Sequence, residues 1–259
     1  MSTRQELREQ GEAMRARLFG PAEHAEALYG YRDLASETTY GSIWSRPGLE
    51  LPDRMVCTLA ALCAVQQLPQ LRRYVGAAVN LKLAREAPFE IFLQIGIYAG
   101  FAATESAVEA AAEVYRERGI ALPQGAARDD RIELLTQRGH EVMDKLHGKR
   151  GVQGYAAPEN PFTNRLYPMT IPYGYGEIWQ RPGLELRQRA LCSVAGFTAL
   201  HLNDQLKKFG QSALNIGLSL DEVCEAIIQT APYSGYAPAL NALRWLSEVL
   251  STDLHRMAR

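Results

Sequence analysis

The residues best suited to acid–base work cluster late in the chain. His201 ends an apolar stretch and stands three residues before Asp204. An imidazole moves a proton near neutral pH with little tuning, and a nearby carboxylate can orient it. A histidine at a helix end could instead answer the helix dipole, and Asp204 could pair with Lys208 one turn on. Glu177 is a further candidate acid or base. Tyr233 and Tyr236 flank Ser234-Gly235, and a phenol can donate to a developing enolate oxygen. Arg46 and Arg181 each sit in an Arg-Pro-Gly-Leu turn. A guanidinium grips a carboxylate through two parallel hydrogen bonds, although holding its own turn against Glu50 or Glu185 is another use for it. Trp44 and Trp179, two residues ahead of these arginines, could wall a pocket for a planar substrate or serve as packing.

Other chemistries find less support. His24, His140, His147 and His255 are scattered. His140 and His147, seven apart, could share a helix face, but no carboxylate set accompanies them, so no metal site is read. There is no dinucleotide or phosphate-loop glycine motif, and no cofactor is expected. Cys57, Cys63, Cys192 and Cys224 form no CxxC pair and no zinc spacing. They read as reduced thiols of a cytoplasmic protein, with Cys57 and Cys192 inert in an apolar helix.

The elements that must position these groups are helical and duplicated. The chain has 259 residues, 47% hydrophobic and 22% charged, with a net charge of −1. This balance excludes a disordered tail protein and gives no basic face for a nucleic acid. No apolar run is long enough to span a membrane, and the charged start is no signal peptide. Tyr40-Gly41-Ser42-Ile43-Trp44-Ser45-Arg46-Pro47-Gly48-Leu49-Glu50-Leu51 recurs 135 residues on (175 − 40) as Tyr175 through Leu186. The register holds to Val114/Val249 with 27 identities in 75 paired positions, far above chance, so the chain is a tandem duplication. An upstream helix is repeated too, Glu6–Gly20 against Glu133–Gly148, at offsets of 127 to 129. The linker-like Leu122-Pro123-Gln124-Gly125 puts the repeats at 1–122 and 123–259. Apolar residues recur at helical spacing over 55–65, 70–83, 89–98 and 102–115, and again over 189–200, 204–216, 221–230 and 237–250. Ser219 ahead of Asp221-Glu222 is a helix cap. No segment alternates with a period of two, so the fold class is all-α.

The segment YGEIWQRPGLEL, then ALNIGLSLDEVCEAIIQTAPYSGYAPALNALRW, resembles the carboxymuconolactone decarboxylase family of the AhpD-like helical fold, present here as two copies over nearly the whole chain. The resemblance implies cofactor-free decarboxylase chemistry, or thiol peroxidase chemistry in a branch whose CxxC pair is missing here. It also implies homo-oligomers, and three tandem chains would rebuild a pseudo-hexamer. The decarboxylase branch carries a histidine where this chain has Tyr74 and Phe209. The expectation is thus a cofactor-independent lyase acting through an enolate on a small carboxylate or lactone. Arg181, with Trp179, Tyr233, Arg46 and Tyr74, would bind substrate, and His201, Tyr236, Asp204 and Glu177 would move protons. The copies diverge at Ser42/Glu177, Gln66/His201 and Pro69/Asp204, which points to the second. A cyclase, dehydratase or isomerase on the same scaffold, or a non-catalytic small-molecule binder, are the alternatives.

Overall fold

The computed structural model describes residues 2–21, 28–125 and 129–257, and among these it is helical with no strand. The first copy runs α1 (Arg4–Phe19), α2 (Tyr31–Ala35), α3 (Leu51–Ala64), α4 (Leu68–Asn80), α5 (Ala87–Ala99) and α6 (Phe101–Glu117). The second runs α7 (Ile132–His147), α8 (Tyr167–Thr170), α9 (Leu186–Ala199), α10 (Asn203–Asn215), α11 (Leu220–Ser234) and α12 (Tyr236–Met257). Helices α2 and α8 continue into wide π-helical coils, Ser36–Trp44 and Ile171–Glu177, which hold most of the repeated aromatic segment.

The helix ends follow from local chemistry. Ser219 caps α11, accepting from the Glu222 amide while the Glu222 carboxylate accepts from the Ser219 amide. Gly100 and Gly235 end α5 and α11 at φ 93° and 108°, a conformation costly for any residue with a Cβ. Helix α3 begins four residues before the apolar run at Met55, because Pro52 and Asp53 occupy its first turn, where proline needs no hydrogen-bond donor.

The two copies share one core. Helices α3 and α9 pack against each other, and α5 and α11 each lie against both. Ala60 and Ala61 of α3 and Ala195 of α9 are fully buried, and such small side chains let helix axes approach. At the periphery α1 crosses the first coil and α7 the second. Both crossings are so close that a Cβ on Gly41 or Gly176 would strike the carbonyl of Leu7 or Leu135. Glycine at these points sets the ends of α1 and α7 against the aromatic segment.

Candidate functional site

A chamber of about 280 Å³ opens beside α10 in the second copy. Its wall holds six aromatic side chains, Tyr98, Tyr167, Tyr175, Trp179, Phe197 and Phe209, together with Ile97, Leu166 and Gln205. Ile97 and Tyr98 come from α5 of the first copy, so the chamber is composite. No Lys, Arg, Asp, Glu or His is among its lining residues. A ligand carboxylate placed there would trade water for aromatic surface, which is costly for a charge.

The phenols of this wall are held from behind. The Tyr98 hydroxyl lies 2.9 Å from Ser193 Oγ and accepts from Gln94 Nε2 at 3.1 Å. Ser193 gives its own hydrogen to the Arg189 carbonyl, so Tyr98 donates to Ser193. Burial pushes the Tyr98 phenol well above its usual range. Tyr175 meets His147 Nε2 at 3.0 Å, and His147 Nδ1 meets Ser212 Oγ at 2.7 Å. His147 is 2% exposed. Burial, then the nearby charges of Lys208 and Arg150, hold its pKa down to about 3, so the imidazole is neutral. Lys208 is itself lowered to about 8 by burial and by Arg150.

In the first copy the counterpart of Phe209 is Tyr74. Tyr74 is 1% exposed. It receives a hydrogen bond from Tyr233 at 2.8 Å, lies 3.2 Å from the Tyr40 hydroxyl and stacks on Trp44 with 5.9 Å between centroids. Trp44 Nε1 donates to Tyr233 at 2.6 Å. Burial raises the Tyr74 phenol far above its usual range, and the neighbouring Tyr233 and Tyr40 add to the effect. Phe19 packs edge-on to Tyr74 at the place His147 takes in the second copy.

Two arginine frames, related by the duplication, tie the copies together. Arg46 and Arg54 of the first copy both bind Glu225 of α11, at 2.6 and 2.9 Å, and Arg54 also donates to Gln229. Arg181 and Arg189 of the second copy both bind Glu90 of α5, at 3.0 and 2.9 Å, and Arg189 donates to Gln94. Arg54 and Arg189 have no exposed surface. Burial opposes ionisation of Glu225, but Arg46 and Arg54 outweigh it and hold the carboxyl below its usual range. Arg189 is instead lowered by burial.

The carboxymuconolactone decarboxylase family model matches residues 31–113 and 165–248. The chain belongs to the carboxymuconolactone decarboxylase family. Each match covers most of one copy. The 4-carboxymuconolactone decarboxylase of Acinetobacter baylyi is 32% identical over 122 residues, 47% of this chain and 90% of that protein. The nitrosuccinic acid decarboxylase of Metarhizium robertsii is 26% identical over 118 residues, 46% of this chain and 82% of that protein. A crystal structure described as a gamma-carboxymuconolactone decarboxylase subunit of Burkholderia xenovorans shares the fold. It has a TM-score of 0.54 and 18% identity, over 96% of this chain and 98% of that one. Family and relatives together make this a carboxy-lyase-like enzyme.

Within this family scaffold the residues singled out by sequence fall in different places. Trp179 lines the chamber. Tyr74 and Tyr233 belong to the corresponding aromatic cluster of the first copy. Arg46 and Arg181 do hold their turns, yet the carboxylates are Glu225 and Glu90 of the opposite copy, not Glu50 and Glu185. Glu177 pairs with Arg181 at 2.9 Å. Arg181 lines a second cavity, of about 400 Å³, with Glu90, Pro182 and Gly183. His201, Asp204 and Tyr236 are exposed and are not among the residues lining either cavity. His201 and Asp204 flank the α9–α10 turn, with His201 at φ 59°, and Gln66 repeats that conformation at φ 57°. The divergence of Gln66 and His201 is therefore a surface difference on a shared turn. His24 lies outside the described residues, as does the side chain of His255. Cys57 and Cys192 are buried, and burial raises both thiols far above their usual range, so neither is a nucleophile at neutral pH.

Tyr98, Tyr175, Phe209 and His147 are outside the set of expected site residues. Phe209 stands where the resemblance sets a histidine, and the His147 ring lies 4.8 Å from it. An imidazole therefore reaches this region from α7. The signal was a paired difference between the copies: Phe19 and Ala77 in the first, His147 and Ser212 in the second.

Proposed function

We propose that the chain decarboxylates a small carboxylated compound in the second-copy chamber, through an enolate or a similarly delocalised anion. The observation that carries this reading is the aromatic chamber of about 280 Å³ without a charged lining residue, in a chain whose named relatives are decarboxylases. A carboxylate drawn into that wall loses hydration. Cleavage of its carbon–carbon bond expels neutral carbon dioxide and leaves the electron pair on carbon, from which it spreads into a carbonyl, lactone or comparable group of the substrate. The charge thereby moves from a poorly solvated carboxylate to a larger anion over polarisable rings. The Gln205 amide is a hydrogen-bond donor of the wall able to meet the developing oxyanion. Trp179 and Phe209, inclined at 29° with 5.9 Å between centroids, both line the chamber and offer aromatic surface to a planar ring.

The test is release of carbon dioxide by the purified full-length chain from 4-carboxymuconolactone and, separately, from nitrosuccinate, each with Phe209→Tyr alongside. Release that the Phe209→Tyr variant abolishes supports the reading. A product of unchanged mass identifies a cyclase or isomerase, and loss of water a dehydratase. Binding without turnover identifies a small-molecule binder.

A further inference from the structure

Two glycines of the second aromatic coil are there for different reasons. A Cβ on Gly176 would strike the Leu135 carbonyl, and the first copy repeats this glycine as Gly41. The crossing of α7 requires it. Gly174 stands two residues earlier in the same coil, Ile171–Glu177. Its φ lies outside the left-handed region, so the backbone does not ask for glycine. A Cβ there would meet nothing nearer than Ile97 Cγ2 at 3.7 Å and Thr170 Cβ at 4.0 Å. These are ordinary contact distances. The first copy carries Thr39 at this position, half-buried in the equivalent coil Ser36–Trp44. A β-branched residue is therefore compatible with the coil. Glycine inside helical backbone also costs chain entropy on folding, so Gly174 stands against local preference.

The missing side chain leaves space in the chamber. Gly174, Ile97 and Thr170 all line it. A Cβ on Gly174 would point towards the other two, and this direction marks the part of the chamber that a side chain would enter. That part is aliphatic. Ile97 brings branched hydrocarbon from α5 of the first copy. The Thr170 hydroxyl gives its hydrogen to the Tyr167 carbonyl at 2.7 Å. The wall here offers a ligand dispersion contact and no hydroxyl hydrogen.

We propose that Gly174 is a specificity-determining residue: its missing side chain is a cleft, bounded by Ile97 of the other copy and by Thr170, that takes a CH2 or CH3 group of the ligand's frame. The inference rests on the chamber being the substrate site. The acid so recognised carries its carboxylate elsewhere and a hydrocarbon bulge at Gly174. 4-Carboxymuconolactone and nitrosuccinate each have a methylene carbon and meet this requirement. A ligand of flat outline leaves the cleft empty, and an empty apolar gap forfeits contact. A charge or hydroxyl pressed into it loses hydration without a partner.

The test sets a bump against a hole. Calorimetry gives the affinities of the full chain for benzoate and for 3-methylbenzoate, in the native protein and in Gly174→Ala. The native chain should bind 3-methylbenzoate about tenfold more tightly, the lower end of what one methyl group is worth in an apolar pocket. In Gly174→Ala that preference should vanish, because the alanine methyl occupies the place of the ligand's, while benzoate binds as before. The melting temperature of the unliganded variant should not fall, since its Cβ meets only ordinary contacts. Equal affinities in the native chain, a preference kept in Gly174→Ala, loss of both acids in that variant, or a fall in its melting temperature each overturn the proposal. Failure of both acids to bind the native chain overturns it too, and counts against the chamber itself. Equal affinities beside carbon dioxide release would remove this inference and leave the lyase standing. The expected pattern without carbon dioxide release would keep the cleft and overturn the lyase.

Discussion

The two copies build the same frame around different interiors. Each presents a buried arginine to a glutamate and a glutamine of the other copy, Arg54 to Glu225 and Gln229, Arg189 to Glu90 and Gln94. Each sends a tyrosine across the interface, Tyr233 into the first copy and Tyr98 into the second. Inside the first, the hydroxyl of Tyr74 joins Tyr40 and Tyr233 in one closed cluster. Inside the second, Phe209 offers no hydroxyl, and Tyr98 and Tyr175 turn to Ser193 and His147 behind the wall. The residues that assemble the scaffold are repeated because both halves need them. The residues that set the hydrogen bonds of each interior are the ones that differ.

The largest effect should come from the shared frame. Replacing Arg189 by methionine strands Glu90 in the core with Arg181 as its remaining partner, and Arg54→Met does the same to Glu225 with Arg46. Each variant should lose about 3 kcal/mol, the lower end for breaking a buried pair because one arginine persists. Denaturant unfolding would check this, and a loss confined to one copy would break the symmetry of the comparison. Next comes the tyrosine cluster. Tyr74→Phe leaves two buried phenols short of a partner and should cost about 1–3 kcal/mol. Phe209→Tyr brings a tyrosine into the second copy and should abolish the rise in melting temperature that a chamber ligand produces by mass action. If that rise survives, the difference between Tyr74 and Phe209 does not govern ligand binding.

Much of the frame was legible in the sequence. Periodicity and the 135-residue register pointed to the all-α tandem fold, and Ser219 to a helix start. The site was less legible for physical reasons. A duplication invites each half to be read alone, whereas Arg46, Arg181, Tyr98 and Tyr233 find their partners across the interface, at separations that no local spacing encodes. His147 was hidden by a change of register, since the first helix repeats at an offset of about 128 and the rest at 135. By sequence it is one of several scattered histidines; in the fold α7 crosses the aromatic coil at Gly176. His201 differs between the copies at an exposed turn outside the two cavities.

Acid should separate the two copies by a smaller amount. His147 titrates near 6.5 in an unfolded chain and near 3 in the fold. Its folded pKa is depressed, so below 6.5 the unfolded state binds the extra proton and stability falls as pH drops. Between about pH 6.5 and about pH 5 this one group should remove about 1.5 kcal/mol. His147→Phe should flatten that part of the pH–stability curve, with Phe19 in the first copy as the natural precedent. An unchanged slope would mean that His147 is not held neutral.

The smallest effect sharpens the comparison at the surface. Gln66 and His201 both adopt the left-handed conformation that ends the third helix of each copy's core. Gln66 anchors itself there by donating to the Cys63 carbonyl at 2.7 Å and the Ala103 carbonyl at 3.1 Å. His201 is exposed. Glycine at either position relieves about 1 kcal/mol of backbone strain and adds nearly as much chain entropy to the unfolded state. His201→Gly should therefore change stability by less than about 0.5 kcal/mol and leave carbon dioxide release unaltered. Gln66→Gly should cost about 1 kcal/mol more, for its two side-chain hydrogen bonds. A loss of turnover in His201→Gly without a loss of stability would return the imidazole of the α9–α10 turn to the reaction and shift the site out of the aromatic chamber.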